Sequence, residues 1–234
     1  LLIKLIDAND ILSVQVHPDD ALARKKHHAY GKTEMWYILD AEPGSELIAG
    51  FNKPVSSSDF SRHFEQKTFL PLLQLEKVEK GDAFFIPAGT IHAINKGILL
   101  AEIQQTSDVT YRLYDWDRTD SNGKPRELHV DLALEAIHYD TAFRSKIEIG
   151  KTIRNKSKLA QCPYFVSNLI EFEKPYDFDY SAIDSFVVYM CMEGECRIFY
   201  HPDQEAVSCK AGETVLIPAE LKEILIEPVK KTKL

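Results

Sequence analysis

Val78-Glu79-Lys80-Gly81-Asp82-Ala83-Phe84-Phe85-Ile86-Pro87-Ala88-Gly89 decides the fold, because the chain repeats its plan far downstream. The second copy is Ser208-Cys209-Lys210-Ala211-Gly212-Glu213-Thr214-Val215-Leu216-Ile217-Pro218-Ala219-Glu220. Each copy runs glycine, acid, apolar run, Ile-Pro-Ala. Glycine makes the turn into a strand, and proline, which cannot donate to a ladder, ends it. Upstream of each copy lies a strand pair with a glycine-containing turn, over residues 36–49 and 186–200. Two stretches built on one plan predict two related β-barrels.

Working outward, short apolar runs alternate with turn residues from Leu5 to Glu102, and residues 12–16, 35–39 and 47–51 are expected strands. Residues 1–8 read as a buried strand entering a turn. Residues 19–30 are polar and basic, which fits a solvated turn or short helix better than a phosphate patch. His27 and His28 are adjacent and project in different directions. Ser56-Ser57-Ser58-Asp59 is a helix N-cap region, with Phe60, Phe64 and residues 69–73 as the apolar face of a helical insertion. Asn122-Gly123 is a turn, and residues 127–137 form a partly amphipathic helix. Residues 151–158 read as a linker, or as an exposed strand pair with Ile153 inward. The expected fold is all-β dominated: two cupin-type (jelly-roll) barrels, the first with a small helical insertion and a following helix. The expected divisions are residues 1–140, a linker over 141–158, and a degenerate second barrel over 159–234.

Composition narrows the class. A chain of 234 residues, 44% hydrophobic, fits a soluble globular protein of one large or two small domains. A net charge of −8 disfavours non-specific nucleic-acid binding. No apolar run is long enough to cross a bilayer, and Leu1-Leu2-Ile3-Lys4 is no signal peptide. Cys162, Cys191, Cys196 and Cys209 lack the close pairing of a zinc ribbon and read as free thiols in a reducing cytoplasm.

Ser13-Val14-Gln15-Val16-His17-Pro18 carries the first half of a metal site. On a strand, Gln15 and His17 share one face while Val14 and Val16 take the other. Gly31-Lys32-Thr33-Glu34-Met35-Trp36-Tyr37 opens a strand with a carboxylate, and Ile86-Pro87-Ala88-Gly89-Thr90-Ile91-His92-Ala93 adds a histidine after a turn. Gln15, His17, Glu34 and His92 form an N/O ligand set suited to zinc or another divalent first-row metal, with positions left for water or substrate. Each alone is weak: a lone histidine is more often satisfied or exposed, and a lone glutamate more often solvated. In the second unit, Glu223 stands where His92 does and Ser185 roughly where Glu34 does, so that unit lacks the set. His201 is a chance match.

These stretches, followed by Gln104-Gln105-Thr106-Ser107-Asp108-Val109-Thr110-Tyr111-Arg112, closely resemble type I mannose-6-phosphate isomerases of the short bacterial kind. The resemblance is specific from Leu1 to about Tyr139 and looser beyond. It implies an aldose–ketose isomerase that interconverts mannose 6-phosphate and fructose 6-phosphate through a cis-enediol, with one Zn2+ per chain. It implies a sugar phosphate as partner, no nucleic acid or membrane, and a cytoplasmic monomer or homodimer. Arg112 matches the family's catalytic arginine, for the enediolate or the phosphate; its plain alternative is an ion pair with Asp108 or Asp115. Lys32, two before Glu34, and Glu102, ten before Arg112, are the further catalytic candidates. Lys32 could equally be a surface lysine, and Glu102 a barrel-mouth carboxylate paired with Arg112 or Lys32. Ser13 carries over as a phosphate contact. In that family the opening segment follows other strands, so an N-terminal stretch is expected to precede Leu1, its lack leaving a sheet edge unpaired. The rivals are an iron oxygenase, disfavoured by Gln15 at the first position of the usual His-x-His pair, and a non-catalytic sugar-binding cupin.

Overall fold

The computed structural model describes residues 1–139, 144–150, 156–200 and 206–234. They form two compact units, Leu1–Glu148 and Ile149–Leu234. In chain order the first unit holds β1 (Leu2–Ala8), β2 (Val14–Val16), α1 (Asp20–His27), β3 (Glu34–Ala41), β4 (Glu46–Phe51) and α2 (Ser57–Glu65). It continues with β5 (Leu73–Lys77), β6 (Ala83–Ile86), β7 (His92–Ile94), β8 (Ile98–Gln104), β9 (Tyr111–Tyr114) and α3 (Val130–Ala136).

Two antiparallel sheets make this unit, in the orders β1-β8-β3-β6 and β5-β4-β7-β2-β9. The consecutive strands β3 and β4 fall in different sheets, which corrects the reading of residues 36–49 as one strand pair. The interior between the sheets is packed by Trp36, Ile38, Leu47, Ile86, Ile94 and Leu100. The outer face of the five-stranded sheet is equally apolar, because Val14, Val16, Tyr111 and Leu113 pack with residues of α2 and α3. Strand alternation thus gives β2 two destinations: its valines go under the helices and Gln15 goes to the other face.

The second unit holds β10 (Lys156–Gln161), β11 (Val166–Phe172), β12 (Tyr176–Asp179), β13 (Val187–Met190), β14 (Glu193–Phe199), β15 (Ala206–Lys210), β16 (Thr214–Ile217) and β17 (Glu223–Lys233). Here too the strands of residues 186–200 separate: β13 pairs with β16, while β14 lies between β17 and β15. Both Ile-Pro stretches end the strand that pairs antiparallel with the first of these, β6 with β3 and β16 with β13. The fold is the expected all-β, cupin-type one. β10 begins inside the stretch read as a linker. Residues 140–143 and 151–155, with Ile153, and residues 201–205, with His201, lie outside the described residues.

The helical insertion is shorter than its apolar residues implied. α2 is capped by Ser56, whose side chain accepts from the Asp59 amide, and it ends at Glu65. Residues 69–73 are not its continuation. Leu70–Leu72 make one 3-10 turn and Leu73 starts β5, and Phe69 packs back on Phe60 and Phe64. α3 likewise starts at Val130 rather than 127: His129, at its N-cap, has non-helical dihedrals (φ −117°, ψ 51°), and its amide donates to the Arg112 carbonyl of β9 at 2.7 Å. Residues 19–30 form the short helix α1, whose C-cap His28 is left-handed (φ 54°). His27 is exposed, and its Nε2 lies 2.8 Å from the Tyr111 hydroxyl.

Phe60 is fully buried amid Phe51, Phe64, Phe69 and Tyr139. Truncating a buried phenylalanine costs the lost transfer free energy plus a cavity, about 3–5 kcal/mol. Denaturant unfolding of Phe60→Ala is expected to show a loss of that size. A loss under about 1 kcal/mol, the scale of a tolerated volume-conserving core swap, would contradict this account of the helix seat.

Candidate metal centre

Four strands deliver the polar cluster. Register puts His92 of β7 opposite Gln15 of β2, and Gln15 opposite Arg112 of β9. Directly opposed residues project to the same sheet face, so His92, Gln15 and Arg112 share one side. From the facing sheet, β3 supplies Glu34. His17, just past the end of β2, completes the group. His17, Glu34 and His92 are all buried, and their ligand atoms lie within 4.8 Å of one another.

The donor chemistry fits a divalent metal. His17 Nδ1 lies 3.1 Å from the Val109 carbonyl and His92 Nδ1 2.9 Å from the Thr90 carbonyl. A carbonyl only accepts, so each Nδ1 carries the proton and each Nε2 presents its lone pair, to Lys32 Nζ from His17 and to the Gln15 amide from His92; the Nδ1 hydrogen bond is what fixes a metal-ligating tautomer. Both Nε2 atoms face Glu34: His17 at 3.3 Å from Oε1, His92 at 3.9 Å from Oε2. Neither Glu34 oxygen accepts a well-formed hydrogen bond, although both are buried. Lys32 Nζ stands 2.9 Å from Oε1, close enough for charge but without hydrogen-bonding geometry, and 3.2 Å from His17 Nε2. A buried carboxylate so poorly satisfied is costly unless a cation answers it.

Burial pushes the His17 imidazole down to about 4 and the His92 imidazole down as well, against the opposing pull of Glu34. Both are therefore neutral at pH 7, the form that binds metal. Burial pushes the Glu34 carboxyl up, but the positive charge of its neighbours, Lys32 among them, outweighs it and holds the carboxyl below its usual range.

Gln15 and Ser13 join the cluster. The Gln15 amide nitrogen is placed 3.2 Å from His92 Nε2, and its oxygen accepts from Ser13 Oγ at 3.4 Å. Which end of that amide points inward is an assignment from the hydrogen-bond network; the reverse orientation turns the oxygen to the centre.

The loop that carries Lys32 and Glu34 is tied from several sides. Gly31 N and Gln105 Nε2 both donate to Asp20 Oδ1, Gln105 Oε1 accepts from Thr33 N, and Lys32 N donates to the Pro18 carbonyl. A Cβ on Gly31 would stand 2.6 Å from the Asp19 and Asp20 backbone, so only glycine allows that approach.

The pairing expected of Glu102 is not the one found. Glu102 pairs neither with Arg112 nor with Lys32. Its Oε1 receives Lys4 Nζ at 2.7 Å, and its Oε2 receives the Trp36 indole N–H at 3.1 Å. The Trp36 ring meets His92 edge-on, with centroids 5.4 Å apart, so Glu102 is linked to the histidine through the indole. Lys4 and Trp36 went unnoticed in the sequence; a lone lysine at an inward position of the otherwise apolar Leu1–Ile6 run was the available signal. Arg112 donates through Nη1 to the Glu127 carbonyl at 2.8 Å, and its Nε is buried without a partner. Among the described residues, the ion pairs of Asp115 are with Arg118 and Arg126, not Arg112, and none joins Arg112 to Asp108.

A two-sheet jelly roll with His, Glu and His converging in its interior defines a cupin of the metal-site class. The chain belongs to the mannose-6-phosphate isomerase family. It is 37% identical over 234 residues to the probable mannose-6-phosphate isomerase GmuF of Bacillus subtilis (strain 168), covering 97% of this chain and 71% of that protein. It is 37% identical over 242 residues to the mannose-6-phosphate isomerase ManA of the same strain, with the same coverage. The crystal structure of the mannose 6-phosphate isomerase from Bacillus subtilis superposes with a TM-score of 0.85 at 31% identity, over 99% of this chain and 73% of that one. No family model matches the chain. Among the described residues, no helix is long and apolar enough to cross a membrane.

The buried imidazoles set a pH dependence. His17 is held near 4 when folded and returns toward its ordinary 6.5 when unfolded. Between those values the unfolded chain binds the extra proton, so stability rises with pH. The metal-free protein is therefore expected to lose melting temperature as pH falls from about 6.5 to 4, and His17→Asn should flatten that slope. Calorimetric scans across the window check this; an identical slope in the variant would contradict it.

Proposed function

We propose that this chain is a metal-dependent mannose-6-phosphate isomerase that interconverts mannose 6-phosphate and fructose 6-phosphate through a cis-enediol. One Zn2+ is held by Gln15, His17, Glu34 and His92, and the protein works in the cytoplasm as a monomer or homodimer. The carrying observation is the pair of buried, unprotonated Nε2 atoms aimed at an unsatisfied buried carboxylate. When bound, the metal supplies Lewis-acid polarisation and orders the sugar oxygens.

The chain's own residues do the rest. Arg112 shares the sheet face of Gln15 and His92, where its guanidinium meets the negative charge that develops on the enediolate. Lys32, buried beside Glu34, donates to a sugar oxygen. Glu102, held by Lys4 and Trp36, is the carboxylate that moves the proton between C1 and C2. Ser13 is buried next to Gln15, where its hydroxyl steadies the amide or reaches a substrate oxygen. Such an array of an arginine, two lysines and a carboxylate around the cluster has no use in a protein that only binds sugar.

A coupled isomerase assay with elemental analysis tests this. Activity should vanish after chelation and return with zinc, and His92→Ala should lose stoichiometric metal because one imidazole lone pair is gone. Arg112→Ala should keep its metal while kcat falls on the order of 100-fold, the usual effect of deleting one preorganised donor to a developing oxyanion. Full metal retention at unchanged affinity in His92→Ala would overturn the ligand set. Unchanged kcat per folded molecule in Arg112→Ala would overturn its catalytic role.

A further inference from the structure

Trp36 touches two working parts of the site at once. It lies two residues after Glu34 on β3, so the indole and that carboxylate share one strand face. Register sets Trp36 directly opposite Glu102 on β8, and Glu102 opposite Lys4 on β1, which lines the three side chains up on that face. The indole N–H donates to Glu102 Oε2 at 3.1 Å. The ring meets His92, which the facing sheet carries, with centroids 5.4 Å apart and planes at 73°.

This is more than a core residue needs. A buried indole N–H is satisfied by any acceptor, but here the acceptor is Glu102, itself buried and the carboxylate of the proton transfer. The indole only donates and an ionised carboxylate only accepts, so the bond has one sense. Of the two groups that hold Glu102, Lys4 is 36% exposed and sits on a flexible stem, whereas Trp36 is fully buried and has few torsions to fix. The bond from His92 Nδ1 to the Thr90 carbonyl sets the tautomer of that ring but not its tilt, and the indole packed against it limits the tilt.

We infer that Trp36 is a positioning residue for the reaction: its N–H fixes the proton-transferring Glu102, and its ring fixes the metal-ligating His92. This rests on the isomerase reading. The two arms are separable, because they use different parts of the indole. The N–H arm bears on the proton transfer and leaves metal affinity alone, while the ring arm bears on metal affinity. Misplacing a reacting group by about 1 Å costs on the order of 100-fold in rate, so the tether of Glu102 shows in kcat rather than in substrate binding.

The experiment compares Trp36→Phe and Trp36→Leu in the zinc-loaded enzyme, with mannose 6-phosphate and its C2-deuterated form as substrates and chelator competition for zinc affinity. Phenylalanine keeps an aromatic ring and deletes the N–H; leucine deletes both. In Trp36→Phe, kcat should fall about 10- to 100-fold, the span of one hydrogen bond to a charged group. KM should stay near wild type, the deuterium isotope effect should grow, and zinc affinity should hold. Trp36→Leu should bind zinc about 2- to 10-fold more weakly than Trp36→Phe, the span of one aromatic pair. An unchanged kcat in Trp36→Phe, or equal zinc affinity in the two variants, would overturn the inference. So would kcat and zinc affinity falling together in Trp36→Phe, the mark of a plain core residue. If these variants do not fold, benzothienylalanine decides, since it keeps the bicyclic shape and puts sulfur in place of the N–H. A Trp116→Phe background leaves Trp36 as the chain's single tryptophan, so the replacement is confined to that position. A kcat lowered at constant zinc affinity, relative to the tryptophan parent, supports the inference, and an unchanged kcat rejects it. A wild-type chain without isomerase activity would sink the functional reading, while the zinc comparison would still decide the arm to His92.

Discussion

The structure depends on one buried carboxylate. Glu34 sits in the interior of a jelly roll with both oxygens short of hydrogen bonds. Leaving a charge in that state costs several kcal/mol, so the chain surrounds it with positive or potentially coordinating groups. Lys32 Nζ stands at 2.9 Å, and the two imidazoles present their Nε2 lone pairs toward the same point. The ammonium offsets the charge without satisfying the geometry. A divalent ion shared by the carboxylate and both imidazoles does both, which is why the arrangement reads as a metal centre rather than a structural ion pair.

Everything near the cluster serves its placement. Adjacent strands bring His92, Gln15 and Arg112 to one face by register alone. The opposite faces of β2 and β9 carry Val14, Val16, Tyr111 and Leu113 into the core beneath the helices, so the strands cannot slip without exposing apolar surface. The loop before β3 is held by Asp20, Gln105 and the Pro18 carbonyl. The ring of His92 is steadied by Trp36, which Glu102 and Lys4 anchor in turn. Placement of this kind gives catalytic groups their orientation before substrate arrives.

Much of this was legible along the chain, because short-range patterns encode it. The glycine-acid-apolar-Ile-Pro-Ala repeat marks the strands β6 and β16. The Gln-x-His spacing on a strand marks which side chains face inward, and Ser56 marks the start of α2. What stayed hidden depends on contacts between distant strands. Glu102 looked like a partner for Arg112 or Lys32, but register aligns it with Lys4, ninety-eight positions earlier. The pairing of residues 36–49 failed for a related reason: a glycine turn shows where a chain reverses, not which sheet receives the next strand. At the late start of α3 the N-cap His129 is tied to β9 by its amide, a long-range contact that no local propensity describes.

The central claim is that a metal sits on His17, Glu34 and His92, with Gln15, and not on the second unit. X-ray absorption at the zinc edge of the stoichiometrically loaded protein tests it directly. The account predicts a first shell of nitrogen and oxygen alone near 2.0–2.2 Å, with the outer-shell scattering of two imidazoles (roughly these distances for His and carboxylate ligands). A sulfur shell near 2.3 Å would contradict it (about the zinc–thiolate distance), because sulfur would place the ion on the buried thiols of Cys191, Cys196 and Cys209 in the second unit.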